Sequence, residues 1–438
     1  MHILKIIHGY PPLYNAGSEV YSQTLCEALA QNHQVTIFTR EADPYRPDFE
    51  VRIVQLEKNL TLYIVNMPRE KDGFDHPDLN VRFAKYLSTL NPDVAHIGHL
   101  NHLSTGWVNV LNRAKVPIIF TLHDFWLMCP RGQFLQINFN QPAFYQLCEK
   151  QDDQICAQNC YNRFFPSSVP HIQDLTYWTH WIAKRMAATR TLCQYVDVFI
   201  APSRYLMKRF ISDFGIESSR IQYLDYGFDR QRFMGRKRQK ESAFTFGYIG
   251  THIPSKGVDL LIQAFSTLEG DVQLRIWGRE SGQSTQALKS MAALSANVIE
   301  FKGEYVNKNM LEMVFNYVDA IVVPSIWMEN APLVIHEAQA CGVPVITADA
   351  GGMAEYVQHK VNGLLFQHRD KNSLADQMNY ALANPEEMKQ LGNRGYLFSS
   401  DGQIPDIHQH VADLEDLYES LINSSYPSNP STYVAHHA

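Results

Sequence analysis

Short apolar runs separated by stretches of helical period form the first half of the chain. Runs of this kind, each ending in a turn, are typical of strands buried on both faces of a parallel sheet. They predict strands at residues 2–8, 35–39, 51–56, 62–65, 93–97, 117–122 and 196–201. Helices are predicted at residues 19–31 and 81–90 and from Pro202 onward. Strand, glycine-containing loop, helix and strand in this order predict a Rossmann-like opening, but the loop at 9–18 contains no GxGxxG and does not indicate a dinucleotide.

The second half repeats the alternation after a basic segment that has no apolar period. That segment, residues 226–243, is interpreted as a linker between two domains. Strands are then predicted at residues 244–250, 274–279 with its loop, 321–323 and 343–347, with a helix from Val258 and a last helix near 407–422. Since Pro344 cannot donate to a sheet, its strand is expected at a sheet edge or with a late start.

Between two of these strands lies PSIWMENAPLVIHEAQACGVPVITADAGG, residues 324–352. Pro332 fits the first position of a helix, because the N–H that proline lacks would be unsatisfied there. Ala331 offers no side-chain oxygen to the first turn, so the N–H groups of Leu333 and Val334 are left for another acceptor, and an anion is the natural one. Gly342 ends the helix.

Two carboxylates frame the start of this helix. Glu329 lies in the preceding loop and Glu337 about one and a half turns into the helix. A carboxylate beside an anion site commonly accepts hydrogen bonds from hydroxyls. Two of them therefore suggest a ligand with a hydroxyl-rich group on each side of its phosphates, which is the shape of a nucleotide sugar. The alternative is a surface glutamate at 329 and a solvated helix face at 337.

The pattern PSxWxENxPLVxxEAxAxGxPVI resembles the signature of retaining glycosyltransferases of family 4, which have the GT-B fold. The resemblance implies that Glu329 contacts the donor sugar and that Glu337 holds the ribose hydroxyls. Asn330 of the same loop is included among the expected substrate-binding residues. The resemblance covers most of the chain, strongest at 244–366 and weakest at 125–180, and implies a final helix that crosses back over the first domain.

Two segments of the first half resemble patterns of the same family. The loop before the first helix resembles a Pro…Gly-Gly-x-Glu loop whose backbone approaches the donor phosphates, with Ala16 and Gly17 at the glycine positions. A plain turn glycine at 17 is the alternative. HDFWxxCPRG resembles a His-Asp-x-Trp segment, which implies that His123 lies near donor sugar and acceptor, where histidine can donate to a hydroxyl or carry a proton. A structural histidine at the strand end is the alternative.

The second half departs from the family at one position. Lys256 and the glycine after it match a Gly-Arg-x4-Lys-Gly pattern, and lysine there is a point charge for phosphate. Thr251 stands where the family has arginine, so one of two cations is missing, and Arg279 is the candidate replacement. Tyr305 closes the segment 298–305, which the resemblance assigns to packing of the base.

Metal sites are weighed at two places. His96, His99 and His102 lie at one strand end with no carboxylate nearby, and similar loops in the family line the acceptor cleft, so no metal is expected there. No Asp-x-Asp stands near a phosphate loop, so no catalytic metal is expected either. Residues 126–180 are interpreted as an insertion near the acceptor side. Its four cysteines, called here the insertion cysteines, are Cys129, Cys148, Cys156 and Cys160.

A zinc site and unconnected thiols both remain open for the insertion cysteines. Four thiols can bind zinc, but the spacing contains no CxxC pair. Structural disulfides are not expected in a cytoplasmic chain. The same region ends in an aromatic and basic helix with Tyr177, Trp178 and Trp181 ahead of Lys184 and Arg185. Such a helix can lie on an anionic membrane surface or pack on its own domain.

Composition narrows the class of protein. The 438 residues are 45% hydrophobic and 12% aromatic, which excludes a disordered chain. A net charge of −7 argues against nucleic acid as a partner. No apolar run approaches the roughly 18 residues of a membrane span. The opening MHILKIIHGYPP is interpreted as a first strand, not a signal peptide. We therefore expect a cytoplasmic protein, with peripheral contact at the inner face of a membrane as an alternative.

The sequence thus predicts an α/β protein of GT-B type, two Rossmann-like domains with a cleft between them. The predicted parts are a first domain at 1–225, the linker at 226–243, a nucleotide-sugar domain at 244–404, a returning helix at 405–422 and a polar tail at 423–438. The predicted function is transfer of a hexose, glucose from UDP-glucose by the habits of the family, to a saccharide or lipid-linked saccharide in exopolysaccharide or cell-envelope polysaccharide synthesis. A nucleotide-sugar epimerase and a non-catalytic nucleotide-sugar-binding protein are the alternatives.

Overall fold

Two separate β-sheets organise the chain in the computed structural model, which describes residues 1–67, 73–137, 144–161, 171–239 and 241–425. In chain order the strands are β1 His2–Ile6, β2 Gln34–Glu41, β3 Val51–Glu57, β4 Leu60–Asn66, β5 Val94–Ile97, β6 Ile118–Thr121, β7 Leu135–Ile137, β8 Tyr145–Leu147, β9 Val198–Ala201, β10 Ile221–Tyr223, β11 Phe244–Ile249, β12 Val272–Trp277, β13 Val298–Gly303, β14 Ala320–Val323, β15 Val345–Ala348 and β16 Gly363–Phe366.

The α-helices lie between these strands and at the end of the chain. In chain order they are α1 Gly17–Leu29, α2 Pro77–Leu90, α3 Trp107–Arg113, α4 Asp153–Cys156, α5 His171–Gln194, α6 Arg204–Arg209, α7 Val258–Phe265, α8 Gly282–Ala292, α9 Met310–Met313, α10 Leu333–Ala340, α11 Met353–Tyr356, α12 Lys371–Ala383, α13 Pro385–Asn393 and α14 Ile407–Ser425. Short 3-10 and π turns connect several of them.

The first sheet has eight strands in the order β10-β9-β6-β5-β1-β2-β4-β3, and the second has six in the order β13-β12-β11-β14-β15-β16. Within these two sheets every pairing is parallel except that of β3 with β4. The strand order changes direction between β1 and β5 in the first sheet and between β11 and β14 in the second. Such switch points open a crevice at the carboxyl ends of the strands. The predicted architecture of two Rossmann-like sheets is confirmed.

Several boundaries differ from the sequence-based expectations. The strand predicted at 343–347 has the late start that Pro344 allowed, at Val345, and it lies between β14 and β16 rather than at an edge. The first helix starts at Gly17 rather than Glu19. The helix α3 and the hairpin of β7 with β8 were not predicted, since both are short and lack a clear apolar period. The last helix continues to Ser425, and the rest of the predicted tail lies outside the described residues.

Helix α14 packs against the first sheet's side of the molecule. Its His410 Nε2 is 2.7 Å from the Tyr21 hydroxyl of α1. Its Tyr418 hydroxyl is 2.6 Å from Nδ1 of His96 in β5. Both contacts are buried, so the end of the chain is fastened to the half of the molecule where the chain begins.

The basic segment between the sheets is fastened to the second one. Arg236 donates to the carbonyl oxygens of Phe315 at 2.8 Å and Val318 at 2.6 Å. Arg238 pairs with the Asp319 carboxylate at 2.8 Å. Arg236 and Arg238 therefore bind carbonyl and carboxylate oxygens beside the second sheet, and their charges do not form an unpaired basic surface patch.

The aromatic and basic helix α5 packs on its own half of the molecule. Trp178, Ile182 and Arg185 are buried, whereas Tyr177 and Lys184 face outward. Of the two interpretations left open above, this burial supports packing. Within the described residues, no helix combines the length and the apolar character that crossing a bilayer requires.

Candidate active site

A cleft of about 330 Å³ lies between the two sheets, at the carboxyl ends of their strands. All eleven residues selected from the sequence line it: Gly17, His123, Thr251, Lys256, Arg279, Tyr305, Glu329, Asn330, Leu333, Val334 and Glu337. They come from both halves of the chain, and their common position follows from the strand order of two parallel sheets.

The N-terminus of α10 points its free amides into this cleft. Pro332 is the N-cap, with an extended ψ of 117°, so the helix begins at Leu333 and not at the proline as predicted. The carbonyl of Pro332 accepts from Ile335 N–H at 3.0 Å. Among the described residues, the N–H groups of Leu333 and Val334 have no backbone acceptor. Two amides and the positive end of a helix are thus left without a partner at the cleft, an arrangement that suits an anion.

A compact cluster surrounds the carboxylate of Glu329. Its Oε1 accepts from Lys256 Nζ at 2.6 Å, Ser325 Oγ at 2.6 Å and Trp327 Nε1 at 3.0 Å. The Glu329 side chain is 7% exposed and the Lys256 side chain 30%. Lys256 is therefore paired with the very carboxylate expected at the donor sugar. The sequence placed both residues in the site but did not predict that they pair.

Lys256 reaches Glu329 because two segments of backbone lie unusually close. Gly257, which follows the lysine, has a φ of +68°, and a Cβ atom there would lie 2.0 Å from the carbonyl oxygen of Pro324. Only glycine combines this left-handed conformation with such an approach. The loop that carries Lys256 can therefore pack directly against the loop that carries Glu329.

Glu337 is buried in a different environment. Among the described residues, no side chain or backbone group donates a hydrogen bond to its carboxyl, and burial raises its pKa to about 7. Burying a polar group without partners is costly, so the site has capacity for hydroxyl donors of a ligand. Tyr305 lines the same end of the cleft, and burial raises the pKa of its phenol.

His123 belongs to a hydrogen-bonded network that joins the two halves of the molecule. Its Nδ1 lies 2.7 Å from the Tyr226 hydroxyl, while its buried Nε2 has no partner among the described residues. Burial, with Lys5 and His99 nearby, holds its pKa well below the ordinary value, so the ring is neutral at neutral pH. Because the Tyr226 oxygen also receives the Asn330 amide at 3.5 Å, the phenol proton is directed to Nδ1, which favours the tautomer with the proton on Nε2.

Asn330 was predicted to contact the ligand, but its amide group forms hydrogen bonds to the protein instead. Its Oδ1 accepts from Ser203 Oγ at 2.7 Å, and its Nδ2 donates to the carbonyl oxygens of Leu122 at 3.2 Å and His123 at 3.3 Å. All these partners belong to the first half of the chain. The amide therefore positions the His123 loop across the cleft, even though the residue lines the cavity.

The opposite wall begins with α1. Gly17 is its first residue and has no positive φ, so it opens a helix rather than forming a plain turn. Its Cα faces Leu333, since a Cβ there would meet that side chain at 3.7 Å. Behind it, Glu19 Oε1 lies 3.3 Å from His8 Nε2. From the sequence, Glu19 was noted only as part of the loop motif before the first helix, and nothing in the sequence singled out His8.

One expectation about the histidines was wrong. A carboxylate does lie beside them, because Asp124 at the end of β6 approaches His99 Nε2 at 3.4 Å. The two residues are far apart in sequence, but β5 and β6 are neighbours in the sheet. Nevertheless, the described part of the chain contains no group of three or more His, Cys, Asp or Glu side chains arranged to hold a metal ion.

The remaining selected residues lie near the mouth of the cleft. Thr251 follows β11, and its carbonyl accepts from the Tyr248 hydroxyl at 3.2 Å. Arg279 is exposed at the cleft and pairs with no carboxylate among the described residues. A free cation therefore stands on the loop next to Thr251, in a position to offset the arginine that the sequence lacks.

All the insertion cysteines are free thiols. Burial raises the pKa of Cys148 and of Cys156 to about 12 each. Neighbouring thiols of the set add to the rise in the pKa of Cys148 and of Cys160. None of them lines the cleft.

Two protein families match this chain. The family described as Glycosyltransferase Family 4 matches residues 16–232, and the family described as Glycosyl transferases group 1 matches residues 229–398. Among curated proteins, the chain is similar to a D-inositol 3-phosphate glycosyltransferase of Xylanimonas cellulosilytica. The two are 25% identical over 389 residues, which is 84% of each protein.

Solved structures share the fold. Sucrose-phosphate synthase from Thermosynechococcus elongatus superposes with a TM-score of 0.70 at 19% identity, over 97% of this chain and 99% of that one. HepE of Anabaena, solved in complex with UDP and glucose, superposes with a TM-score of 0.66 at 17% identity, over 96% of this chain and 100% of that one. These likenesses confirm the GT-B fold predicted from the sequence.

Proposed function

The chain belongs to the glycosyltransferases of GT-B fold, and we propose that it transfers glucose from UDP-glucose to a saccharide or lipid-linked saccharide with retention of anomeric configuration. The observation that carries this proposal is the placement of Glu329 and Glu337 on either side of the free amides of α10. A diphosphate at those amides directs one hydroxyl-rich group toward each carboxylate. The choice of donor follows the family resemblance and agrees with the UDP and glucose bound to HepE.

Each part of the donor has a matching group in the cleft. Glu337 has no hydrogen-bond donor of its own among the described residues and is assigned to the ribose hydroxyls. Tyr305 lies at the same end and is assigned to the base. The diphosphate is assigned to the amides of Leu333 and Val334, with Arg279 at the mouth of the cleft.

The sugar end is assigned to Glu329 and His123. Glu329 uses Oε1 for its three protein donors, so Oε2 remains for a sugar hydroxyl. His123 lines the cleft and is neutral, and it is assigned a hydrogen bond to donor sugar or acceptor. Asn330 is assigned an indirect role, because its amide holds the loop that carries His123.

Transfer breaks the bond between the anomeric carbon and the β-phosphate oxygen and joins that carbon to an acceptor oxygen. The electron pair stays with the departing diphosphate, where negative charge develops, and the acceptor's hydroxyl proton passes to the departing phosphate oxygen. Fixed donors aimed at developing charge are commonly the largest contribution to catalysis. Lys256, the two amides and Arg279 are such donors here, and we propose that they replace a metal ion. We place the reaction in exopolysaccharide or cell-envelope polysaccharide synthesis.

Chromatographic separation of the products, followed by mass analysis, tests this proposal. The protein is incubated with UDP-glucose, UDP-galactose, UDP-N-acetylglucosamine and GDP-mannose, with and without saccharide acceptors, and with a chelator in one arm. The expected result is free UDP and a glucosylated acceptor from UDP-glucose, unchanged by chelation. An isomerised nucleotide sugar without acceptor would identify an epimerase, and binding without turnover would identify a non-catalytic binding protein.

A further inference from the structure

Helix α10, which carries the free amides at the cleft, has little of its own to hold it in place. It has eight residues, and its N-cap, Pro332, contributes no side-chain hydrogen bond. Isolated helices of this length are not stable in water, so the orientation of α10 depends on contacts with the rest of the molecule. The amides of Leu333 and Val334 and the carboxyl of Glu337 share that orientation, because all three belong to the helix.

His336 forms a polar contact between α10 and the segment that follows β10. It lies between Val334 and Glu337 in the sequence, but its side chain is fully buried and does not line the cleft. Its Nε2 is 3.0 Å from Asp225 Oδ2, and its Nδ1 is 3.4 Å from the carbonyl oxygen of Pro332. An oxygen therefore faces each ring nitrogen, and the ring connects Asp225 to the residue that caps the helix.

Asp225 is itself held by other groups and is 6% exposed. Its Oδ2 also accepts from the Tyr396 hydroxyl at 2.7 Å, and its Oδ1 accepts from the N–H of Tyr226 at 2.8 Å. Phe228, further along the same segment, stacks on the His336 ring with 5.0 Å between the centroids. A buried polar network whose members all have partners is rigid, so Asp225 is a fixed anchor for α10.

The next residue in the chain, Tyr226, contacts the other side of the cleft. Its hydroxyl is 2.7 Å from His123 Nδ1, and the two rings are stacked with 5.6 Å between their centroids. Asp225 thus contacts the helix assigned to the ribose and the diphosphate, and its neighbour contacts the histidine assigned to the sugar end. A single peptide unit relates these two ends of the cleft.

We propose that Asp225 is a positioning residue for the donor, because through His336 it fixes α10 and with it the free amides and Glu337. Tyr226 holds His123 on the other side, so the two consecutive residues set the distance between the groups assigned to the diphosphate and to the sugar. This proposal rests on the proposed function, because it concerns the donor site of the same reaction. His336 stands at a position that the family pattern leaves open, and neither it nor Asp225 lines the cleft.

Two substitutions of His336 separate positioning from packing. His336→Leu fills the buried space but cannot donate to Asp225, whereas His336→Gln has an amide nitrogen that can. We expect UDP affinity, measured by calorimetry, to fall about tenfold in His336→Leu and to stay close to native in His336→Gln, since a hydrogen bond to a charged group contributes on the order of this factor. A side chain that acted only by packing would give the opposite order, because leucine suits a buried apolar site better than glutamine.

Three further variants assign the effect. Asp225→Asn should weaken UDP about tenfold, and adding His336→Leu to it should cause no further loss, because both changes remove one contact. Tyr226→Phe should retain UDP affinity and lower kcat, because the lost hydroxyl faces His123 rather than α10. Tyr418→Phe is the matched control: it removes a buried hydrogen bond of 2.6 Å between α14 and β5, and should lower the free energy of unfolding without changing UDP affinity.

Native UDP affinity in His336→Leu or in Asp225→Asn would refute the proposal, as would equal losses in His336→Leu, His336→Gln and Tyr418→Phe. Hydrogen exchange of residues 333–340 without ligand provides a second measurement. Exchange should be faster than native in His336→Leu and close to native in His336→Gln, and equal exchange in the two variants would count against positioning. If Asp225→Asn does not fold, the two His336 variants still decide.

The outcome is separable from that of the proposed function, which the product analysis above tests. A native protein that transfers glucose, with a His336→Leu variant that binds UDP as tightly, would retain the proposed function and overturn the role of Asp225. A native protein that binds UDP without transferring glucose would overturn the proposed function, while the UDP affinities of the variants would still decide the role of Asp225.

Discussion

The buried pair of Lys256 and Glu329 leads to a prediction that separates structure from chemistry. Lys256→Met removes the cation but keeps much of the stem, leaving a carboxylate that is 7% exposed with two neutral donors. Breaking a fully buried pair costs about 3–5 kcal/mol. Because the Lys256 side chain is 30% exposed in an open cleft, we expect about 1–3 kcal/mol of lost unfolding free energy.

The same variant should lose activity for a second reason. If Lys256 also stabilises the charge that develops on the diphosphate, its loss should raise the activation free energy by about 2–4 kcal/mol. The value of kcat/KM for UDP-glucose should then fall roughly 30- to 1000-fold. Glu329→Gln separates the two effects, since a neutral amide no longer needs the cation. In that background Lys256→Met should cost less than about 1 kcal/mol of stability but should still lower kcat/KM.

Urea unfolding and donor turnover of the four proteins complete the cycle. Lys289→Met is the matched control, because Lys289 pairs with Glu280 at the same 2.6 Å on the surface of the second half, with side chains 40% and 53% exposed. It should change neither stability nor turnover measurably. Equal destabilisation by Lys256→Met with and without Glu329→Gln would refute the buried-pair reasoning. No effect on turnover in the Glu329→Gln background would show that Lys256 acts only through Glu329.

Four further predictions concern the other residues of the donor site and the insertion cysteines. Glu337→Ala should weaken binding of UDP itself, whereas Glu329→Ala should spare UDP and weaken UDP-glucose; calorimetry that shows equal losses for both ligands would contradict this division. Thr251→Arg should tighten UDP, and unchanged affinity would indicate that Arg279 already supplies the charge. Because burial raises the pKa of Glu337 to about 7 from 4.5, the folded protein binds more protons than the unfolded chain between these values, so this residue lowers unfolding free energy as pH rises through that window. In urea unfolding, the free energy of unfolding of Glu337→Gln should therefore fall less between pH 5 and 7 than that of the native protein. The same dependence on pH in both proteins would argue against a raised pKa. Replacing the insertion cysteines by serine should preserve UDP-glucose hydrolysis; stoichiometric metal by elemental analysis, with hydrolysis lost on chelation, would overturn the metal-independent mechanism.

The alternation of strand and helix was readable because each element depends mainly on residues close in sequence. Apolar runs such as those of β1 and β14 have few alternatives to a buried strand. The helix after Pro332 and its free amides follow from local capping chemistry, although the exact start moved by one residue. Short elements such as α3 and the β7–β8 hairpin were missed, because tertiary contacts rather than local period determine them.

The sequence by itself determined the two α/β halves, the free amides at the start of α10 and eleven of the residues that line the cleft. It did so because motif spacing places each residue at a defined end of a strand or helix. Only the tertiary structure decided which of these residues contact each other. Lys256 meets Glu329 across 73 positions of the chain, and Asn330 meets the Leu122 carbonyl across 208. The cleft likewise joins segments that are remote in sequence, and their proximity depends on how the two sheets pack, which no local pattern encodes.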